Sequence, residues 1–204
     1  PIVEGYGLSE TSPSVTCNPV DSTAYSGNIG LPLPNTEMAL LDDAGQQVDA
    51  GLAGEIAIRG PQVMAGYWQR PDETAKVMTR DGFFRSGDIG RVDERGCFFI
   101  VDRKKDMILV SGFNVYPNEI EDLISAMPGV MECAAFGVPD AKAGEAVKLV
   151  VVKKDPSLSE ADIRHFCEAN LTGYKRPRCI EFRDALPTST MGKILRRELR
   201  ETQA

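Results

Sequence analysis

The second half of the chain, from about Lys105 onward, shows the hydrophobic spacing of helices in some segments and that of strands in others. Pro117 stands where a helix can begin, and apolar residues then recur at intervals of three and four along one helical face. The residues on this face are Ile120, Leu123, Ile124 and Met127. Ser159 and Asp162 have the spacing of a capping box, which predicts the start of a second amphipathic helix.

Strand-like apolar runs lie between and after these predicted helices. Residues 130–138 and 146–153 predict two strands, and residues 178–183 predict a third. Residues 193–201 predict a last, basic helix. We therefore expect the second half to form a short sheet flanked by helices.

The first half, residues 1–101, has a β-rich pattern instead. Short apolar runs bounded by Gly, Asp or Pro predict strands at residues 37–41 and 55–59. Residues 90–101 predict a hairpin, whose turn contains Gly96, a residue that can adopt positive φ. One helix is predicted to begin at Pro71. The change of pattern near residue 101 indicates two structural units.

Five consecutive charged residues, 102–106, separate the two halves. A hydrophobic core does not bury such a run without partners, so we expect a solvent-exposed junction. The formal net charge of −7 argues against a nucleic-acid-binding protein, because phosphate backbones select for clustered Lys and Arg. The five cysteines lack the spacing of a metal cluster, and we expect reduced, buried thiols in a cytoplasmic protein.

Four stretches carry candidate chemistry. Residues 6–11, YGLSET, bring an aromatic ring, a glycine, a carboxylate and hydroxyl groups close together. Residues 83–88, FFRSGD, end in a carboxylate that follows a flexible glycine and can accept hydrogen bonds from two neighbouring hydroxyl groups, as ribose presents. The others are residues 102–121 and residues 187–193, PTSTMGK, in which a lysine follows a glycine.

Each stretch taken alone also has a purely structural interpretation. Tyr6 can be a half-buried strand aromatic, Asp88 a turn-forming residue, and Lys193 a solvated lysine at a helix start. The only histidine, His165, lies on the polar side of a predicted helix, so a hydrolase triad is disfavoured.

Together, in this order and with this spacing, the four stretches resemble those of the adenylate-forming enzymes. This superfamily contains acyl-CoA synthetases, luciferases and the adenylation domains of peptide synthetases. Residues 54–68, GEIAIRGPQVMAGYW, also match its pattern. Within the superfamily, the chain is most similar to the C-terminal half of bacterial long-chain fatty-acid–CoA ligases.

The resemblance implies an α+β fold in two domains. Residues 1–101 would be the C-terminal, β-rich portion of a large AMP-binding domain. Residues 102–105 would be a hinge, and residues 106–204 a small mobile C-terminal domain with a short sheet flanked by helices. The phosphate loop and the acyl pocket of the superfamily would lie before Tyr6. We therefore expect this chain to be a piece of a longer enzyme and to be inactive alone.

The resemblance also implies a reaction: ATP and a carboxylic acid form acyl-AMP and pyrophosphate, and coenzyme A then takes the acyl group. It assigns adenine stacking to Tyr6, with Gly7 beside it. It assigns the ribose hydroxyl groups to Asp88, and the steadying of ribose and phosphate to Arg103.

The remaining roles implied by the resemblance concern phosphate and the two half-reactions. Thr11 would donate a hydrogen bond to the α-phosphate, Glu10 would help to hold Mg²⁺ with ATP, and Lys193 would be the catalytic lysine of adenylation. Lys105 would be the hinge for a rotation between the half-reactions. The residues that would then face coenzyme A are Ser111, Gly112, Phe113 and Asn114.

Several alternatives stay open at the level of sequence. A long-chain fatty acid is the expected substrate, with an aryl or other carboxylate as the alternative. A carrier-protein-loading adenylation enzyme and a non-catalytic nucleotide-binding fragment are further alternatives. Residues 172–204 contain eight Lys or Arg against four Asp or Glu, which indicates either a solvated helix face or a surface that attracts anionic coenzyme A, ATP or the inner face of the membrane.

Overall fold

The computed structural model describes residues 2–22, 24–49, 51–190 and 192–201. The chain forms two compact units, residues 1–104 and residues 105–204. Both contain helices and sheets, as expected for an α+β chain. None of the helices in the described part of the chain has the length and apolar content needed to cross a bilayer.

Where the structure describes it, the N-terminal unit contains two antiparallel sheets and one α-helix. Its strands are β1 (Gly5–Gly7), β2 (Ser14–Cys17), β3 (Leu31–Pro32), β4 (Glu37–Leu41), β5 (Gly54–Arg59), β6 (Phe84–Val92) and β7 (Phe98–Arg103). The first three strands form one sheet and the other four form the second, each in chain order. Helix α1 (Pro71–Val77) begins at the predicted proline and lies between β5 and β6 in the chain.

One hydrophobic core joins the two sheets of this unit. Val15 from the small sheet belongs to the same cluster as Ile56, Ile58, Phe84 and Phe98 from the large sheet. Strand β5 is the best buried, because it is an inner strand and its residues from Gly54 to Ile58 are all buried. Burial of consecutive residues in this way is typical of a strand covered on both faces.

The predicted hairpin is present and is longer than its sequence pattern indicated. Strands β6 and β7 pair antiparallel, from Asp88 opposite Arg103 to Val92 opposite Phe98. Gly96 has a φ of 81°, and its N–H donates to the carbonyl oxygen of Asp93 across 3.0 Å. This pairing places Arg103, the last residue of β7, beside Asp88 in the middle of β6.

In its described residues, the C-terminal unit contains a five-stranded sheet and three α-helices. Its strands are β8 (Ile108–Val110), β9 (Phe113–Val115), β10 (Val130–Asp140), β11 (Gly144–Lys153) and β12 (Cys179–Arg183). Its helices are α2 (Pro117–Ser125), α3 (Glu160–Asn170) and α4 (Arg196–Glu201). The sheet order is β10-β11-β8-β9, and β12 runs parallel to β11.

Alternate residues of the long strands face two different hydrophobic clusters. In β10, Cys133 and Ala135 belong to the cluster that includes residues of α2 and α3. Ala134 and Phe136 belong to a second cluster, which contains Leu199 of α4. The period of two along the strand thus places α2 and α3 on one face of the sheet and α4 on the other.

Most of the predicted helix signals in this unit are confirmed. Helix α2 begins at Pro117 and buries Ile120 and Ile124 completely. The capping box of α3 forms, with the Ser159 hydroxyl group accepting from the N–H of Asp162. The last helix begins at Arg196, not at residue 193, because the residues before it form a hydrogen-bonded loop.

The expectation of buried thiols is only partly correct. Cys133 and Cys167 are buried, and Cys17 and Cys97 are partly buried. Cys179, at the start of β12, is exposed. It occupies a strand position that does not face the hydrophobic clusters, so its burial is not needed for folding.

Candidate functional site

Tyr6, Asp88 and Arg103 come together although they are far apart in sequence. The Tyr6 hydroxyl group donates to Asp88 Oδ2 across 2.7 Å. Arg103 Nε lies 3.8 Å from Asp88 Oδ1, on the neighbouring strand. Burial is the main cause that raises the pKa of Tyr6, so its phenol stays protonated and remains a donor. The aromatic ring and the carboxylate are therefore fixed as one structural pair.

The segment of β6 before Asp88 is held by the side chain of Ser86. The Ser86 hydroxyl group donates to the carbonyl oxygen of Ile56 across 2.8 Å and accepts from the Asp88 N–H across 3.1 Å. Gly87 between them has a φ of 77°, a conformation that glycine adopts without strain. Asp88 keeps acceptor capacity on both oxygens beyond these contacts, since a carboxylate accepts about four hydrogen bonds.

Gly7 has a structural reason to be glycine. A Cβ atom at this position would lie 1.6 Å from the carbonyl oxygen of Pro13. Strands β1 and β2 meet here with a register shift between Tyr6 and Gly7. Any larger residue would push the two strands apart and move Tyr6, so this glycine positions the neighbouring ring.

Thr11 does not present its hydroxyl group to a ligand. The residue is fully buried, and its Oγ1 lies 2.7 Å from the carbonyl oxygen of Pro13, 3.0 Å from that of Leu8 and 2.9 Å from the Leu8 N–H. These bonds close the short 3₁₀ turn Ser9–Thr11. The phosphate contact expected from Thr11 is therefore not supported by this geometry.

Ser9 is the exposed hydroxyl of the same turn. It lies on the surface, and no hydrogen bond of its Oγ is found among the residues that the structure describes. The sequence pattern alone did not separate the two hydroxyl residues, because both fit the YGLSET stretch. Their different burial separates them.

Glu10 is oriented by an aromatic residue that the sequence analysis did not single out. The hydroxyl group of Tyr67 donates to Glu10 Oε1 across 2.9 Å. Burial, and then this hydrogen bond, raises the pKa of Tyr67. The backbone is also fixed, because the N–H of Met64 donates to the carbonyl oxygen of Glu10 across 2.8 Å.

Tyr67 also borders an open cavity of about 470 Å³. Its other lining residues are Trp68, Arg70, Glu73 and Val77. No group of three or more metal-ligating side chains occurs in the described ranges. A single carboxylate with a free oxygen does fit Mg²⁺ that also binds phosphate oxygens, because that ion keeps few protein ligands.

The charged run at residues 102–106 is not solvated throughout, contrary to expectation. Asp102 is 1% exposed and accepts from the N–H of Arg103 across 2.7 Å. Lys104 Nζ lies 3.1 Å from Glu55 Oε2 and 2.7 Å from Asp43 Oδ1. Only Arg103 and Lys105 have largely exposed side chains in this run. The end of the N-terminal unit is thus anchored by ion pairs.

Glu55 is the buried centre of that anchor. Its carboxylate also accepts from Arg85 Nε across 2.9 Å and from the Gly87 N–H across 3.2 Å. Burial alone would raise the pKa of Glu55, but hydrogen bonds and charge from Arg85 and Lys104 together hold that pKa below its ordinary value. One ionised carboxylate therefore ties the segment of β6 before Asp88 to Lys104.

In the C-terminal unit, the residues assigned to coenzyme A form the turn between β8 and β9 and the first two positions of β9. Ser111 and Gly112 both have positive φ, 52° and 85°, and all four residues from Ser111 to Asn114 are exposed. The ring of Phe113 stacks on that of Tyr174, with centroids 4.7 Å apart. Tyr174 was not identified from the sequence, since its partner lies about sixty residues away.

Lys193 lies in an exposed loop before α4. The Ser189 N–H donates to the carbonyl oxygen of Lys193 across 2.8 Å, and the Leu195 N–H donates to that of Pro187 across 2.8 Å. Gly192 takes a φ of 76° in this loop. In the part of the chain that the structure describes, the Lys193 ammonium group has no hydrogen-bond partner, so it is free to meet an anion.

Comparison with known proteins finds two matching family models, one in each half of the chain. The family model described as AMP-binding enzyme matches residues 1–68, and the model described as AMP-binding enzyme C-terminal domain matches residues 119–193. A long-chain-fatty-acid–CoA ligase of Escherichia coli O157:H7 is 59% identical over 200 residues, which are 98% of this chain and 36% of that protein. The chain thus spans about a third of that relative.

Two further relatives show how broad the similarity is. A feruloyl-CoA synthase of Amycolatopsis sp is 45% identical over 97% of this chain and 40% of that protein. The ATP-bound crystal structure of MatB from Rhodopseudomonas palustris has a TM-score of 0.91 and 42% identity, covering 98% of this chain and 40% of that one.

Proposed function

Since the chain belongs to the AMP-binding family of adenylate-forming enzymes, we propose that it is the C-terminal part of a long-chain-fatty-acid–CoA ligase. That enzyme, called the full-length ligase below, would convert a fatty acid and ATP to acyl-AMP and pyrophosphate. It would then transfer the acyl group to coenzyme A. The observation that carries the proposal is 59% identity to such a ligase over 98% of this chain.

The N-terminal unit supplies the nucleotide contacts in this proposal. The Tyr6 ring stacks on adenine, and the Tyr6–Asp88 hydrogen bond holds the carboxylate that accepts from the ribose hydroxyl groups. Arg103, exposed and close to Asp88, steadies ribose and phosphate. We transfer the phosphate contact from Thr11 to Ser9, because Ser9 is the exposed hydroxyl of the turn.

Glu10 holds the magnesium that accompanies ATP. Its Oε1 is already used by Tyr67, which leaves Oε2 for the ion. Mg²⁺ would neutralise phosphate charge during adenylation. The role of Tyr67 is to fix the orientation of the carboxylate.

Lys193 is the catalytic residue of adenylation in this proposal. Attack of a carboxylate on the α-phosphorus brings two anions together, so a fixed ammonium group stabilises the transition state more than the ground state. The exposure of Lys193 and its unpartnered ammonium group in the described ranges support this role. Replacement Lys193→Ala should slow acyl-AMP formation by about 100- to 1000-fold.

A single-turnover assay of acyl-AMP formation by the full-length ligase tests the assignment. The matched control is Lys154→Ala, because Lys154 is another exposed lysine of the same unit. An unchanged rate in the Lys193 variant would refute the proposed role. An equal loss of rate in the control would show that the effect is not specific to Lys193 and would also argue against the assignment.

The two units have separate tasks in the second half-reaction. Residues 1–101 would belong to the large domain, and residues 106–204 would form the small domain. Lys105, which is exposed and lies at the unit boundary, would be the hinge. Ser111, Gly112, Phe113 and Asn114 would form the surface that meets coenzyme A. Replacement Lys105→Pro should slow thioester formation more than adenylation, whereas equal loss of both would argue against the hinge.

A second candidate is an aryl-CoA ligase. Its support is the feruloyl-CoA synthase, whose 45% identity to this chain is close to the 44% of the Bacillus subtilis long-chain-fatty-acid–CoA ligase. Residues that bind nucleotide and coenzyme A are shared by both reactions, so this chain favours neither acid strongly. The 59% identity to the Escherichia coli ligase decides our preference.

The basic residues 172–204 leave two interpretations open, a solvated helix face and a surface that attracts anions, including a peripheral membrane contact. Arg196 and Arg200 both lie close to Asp106, and Arg196 also pairs with Glu121, so much of the positive charge of the tail is neutralised within the unit. Vesicle sedimentation of the full-length ligase with anionic and neutral lipids tests the remaining contact. Equal sedimentation with both lipids would refute an electrostatic contact.

A further inference from the structure

Arg196, the first residue of α4, is held against α2 by a set of charged hydrogen bonds. Its Nε donates to Glu121 Oε1 across 2.9 Å, and its Nη2 donates to Glu121 Oε2 and, across 2.6 Å, to Asn118 Oδ1. The side chains of Arg196 and Glu121 are only 17% and 15% exposed. A two-pronged guanidinium–carboxylate contact fixes direction as well as distance, and water screens it little.

The same guanidinium group reaches the start of the C-terminal unit. Arg196 Nη1 lies 3.8 Å from Asp106 Oδ2, and Arg200 Nη1 lies 3.8 Å from Asp106 Oδ1. Asp106 directly follows Lys105, the first residue of this unit. Two arginines of α4 therefore link the helix to the residue beside the proposed hinge.

Glu121 is itself fixed to the sheet. Its Oε1 accepts from the N–H of Ala135 in β10 across 2.7 Å. Helix α4 is held independently by Leu199, which is fully buried in the cluster on its face of the sheet. Helix α4 is thus held both by the burial of Leu199 and by the contacts of its arginines. Loss of the Arg196 guanidinium group should leave α4 packed on the sheet, but its first turn should no longer be fixed against α2.

Lys193 lies three residues before Arg196, in the loop that leads into α4. Its loop is closed by its own backbone hydrogen bonds, and in the described ranges its ammonium group has no partner that would fix its direction. Leu186 and Ile194, on either side of the loop, pack in the same cluster as Leu199. The position of the loop relative to α2 and to Asp106 therefore depends on these apolar contacts and on how the first turn of α4 is held.

We propose that Arg196 is a positioning residue for adenylation. It fixes the Lys193 loop to α2 and to Asp106, so that Lys193 moves together with the residue beside the proposed hinge. This inference rests on the proposed function. It predicts a defect in the half-reaction that uses Lys193 and little defect in the half-reaction that does not. A displacement of about 1 Å in a catalytic group can reduce a rate about 100-fold.

Two variants of the full-length ligase test the proposal, Arg196→Gln and Arg196→Lys. Single-turnover acyl-AMP formation should slow about 100-fold in Arg196→Gln, with the KM for ATP changed less than about threefold. Thioester formation from supplied acyl-AMP and coenzyme A should stay within about twofold of wild type. Arg196→Lys, which keeps the charge and loses the two-pronged contact, should be intermediate.

The matched control is Arg197→Gln. Arg197 is the next residue, its side chain is 89% exposed, and its ion pair is with Glu201 in the same helix. This variant should keep both rates. Unchanged adenylation in Arg196→Gln, or an equal loss of both half-reactions in it, would overturn the inference. A wild-type enzyme that adenylates no acid would overturn the proposed function first.

Hydrogen–deuterium exchange gives a readout that does not need activity. In Arg196→Gln, the amides of Ser189, Gly192 and Leu195, which are hydrogen-bonded within the Lys193 loop, should exchange faster. Amides in the centre of β11 should exchange as in wild type, because the sheet does not depend on this contact. Unaltered exchange in the loop would contradict the positioning role.

Discussion

The Tyr6 hydroxyl group donates a 2.7 Å hydrogen bond to Asp88, a residue 82 positions away on another sheet. This bond joins the aromatic ring assigned to adenine with the carboxylate assigned to ribose. Burial raises the pKa of the Tyr6 phenol, so the hydroxyl group stays protonated and remains the donor of this bond. The two contacts with adenosine are therefore predicted to be energetically coupled.

Replacement Tyr6→Phe should keep the stacking ring and remove the hold on Asp88. We expect the KM for ATP of the full-length ligase to rise about tenfold, the equivalent of roughly 1.4 kcal/mol. Steady-state pyrophosphate exchange at varied ATP measures this change. Tyr25→Phe is the control, since Tyr25 is 84% exposed. Independent, additive effects of Tyr6→Phe and Asp88→Asn in a double-mutant cycle would contradict the coupling.

The two hydroxyl residues of the YGLSET stretch should respond differently to mutation. Thr11→Val removes the acceptor of the Leu8 N–H and should lower the free energy of unfolding of the 204-residue chain by about 1–3 kcal/mol. Ser9→Ala should leave that free energy unchanged and slow adenylation by the full-length ligase. Denaturant titration and pyrophosphate exchange measure the two effects. The reverse outcome would restore Thr11 as the phosphate contact.

Glu55→Gln should destabilise the N-terminal unit strongly. The change leaves Arg85 and Lys104 without their shared carboxylate, and removing one partner of a buried ion pair costs about 3 kcal/mol. Glu37→Gln, which breaks the exposed pair with Arg59, should have little effect. Urea unfolding followed by circular dichroism compares them, and similar midpoints would refute the central position of Glu55.

The same carboxylate gives stability a predictable dependence on pH. The pKa of folded Glu55 lies below its ordinary value of 4.5, so the unfolded chain takes up the proton first as the pH falls. The contribution of Glu55 is therefore complete above pH 4.5 and is lost as the pH falls through its lowered folded pKa. Glu55→Gln should flatten the stability profile in this acidic window, and an unchanged slope would argue against the shift.

The five cysteines should react with iodoacetamide in an order set by burial. Cys179 is exposed and should be modified first at pH 8. Cys133 is buried, and burial raises its pKa to about 11, so little thiolate is present and alkylation should be slowest there. Peptide mass spectrometry over a time course measures the order. Early modification of Cys133 in folded protein would contradict its burial.

Much of the fold follows from local signals in the sequence. Pro117 and the capping box at Ser159 define helix starts, and the apolar runs of β10 and β11 are long enough to identify these strands from the sequence. The start of the last helix was predicted three residues too early. The reason is that the loop before it is stabilised by cross-loop hydrogen bonds, which leave no periodic pattern.

The candidate site was less predictable, since its partners are distant in sequence. Motif residues such as Asp88 and Lys193 stand out by their neighbours, but Tyr67 and Tyr174 gain their positions only through folding. A charged run likewise does not reveal which member is buried. Asp102 is enclosed because β7 continues through it beside β6.

Carboxylate-dependent ATP–pyrophosphate exchange by the full-length ligase tests the central claim most directly. The acids are acetate, benzoate and fatty acids of increasing chain length, each assayed with wild type and with Lys193→Ala. We predict the fastest exchange with long-chain fatty acids and its loss in the variant. Fastest exchange with benzoate would replace the substrate class. An absence of exchange with every acid, from folded protein, would contradict the proposed function.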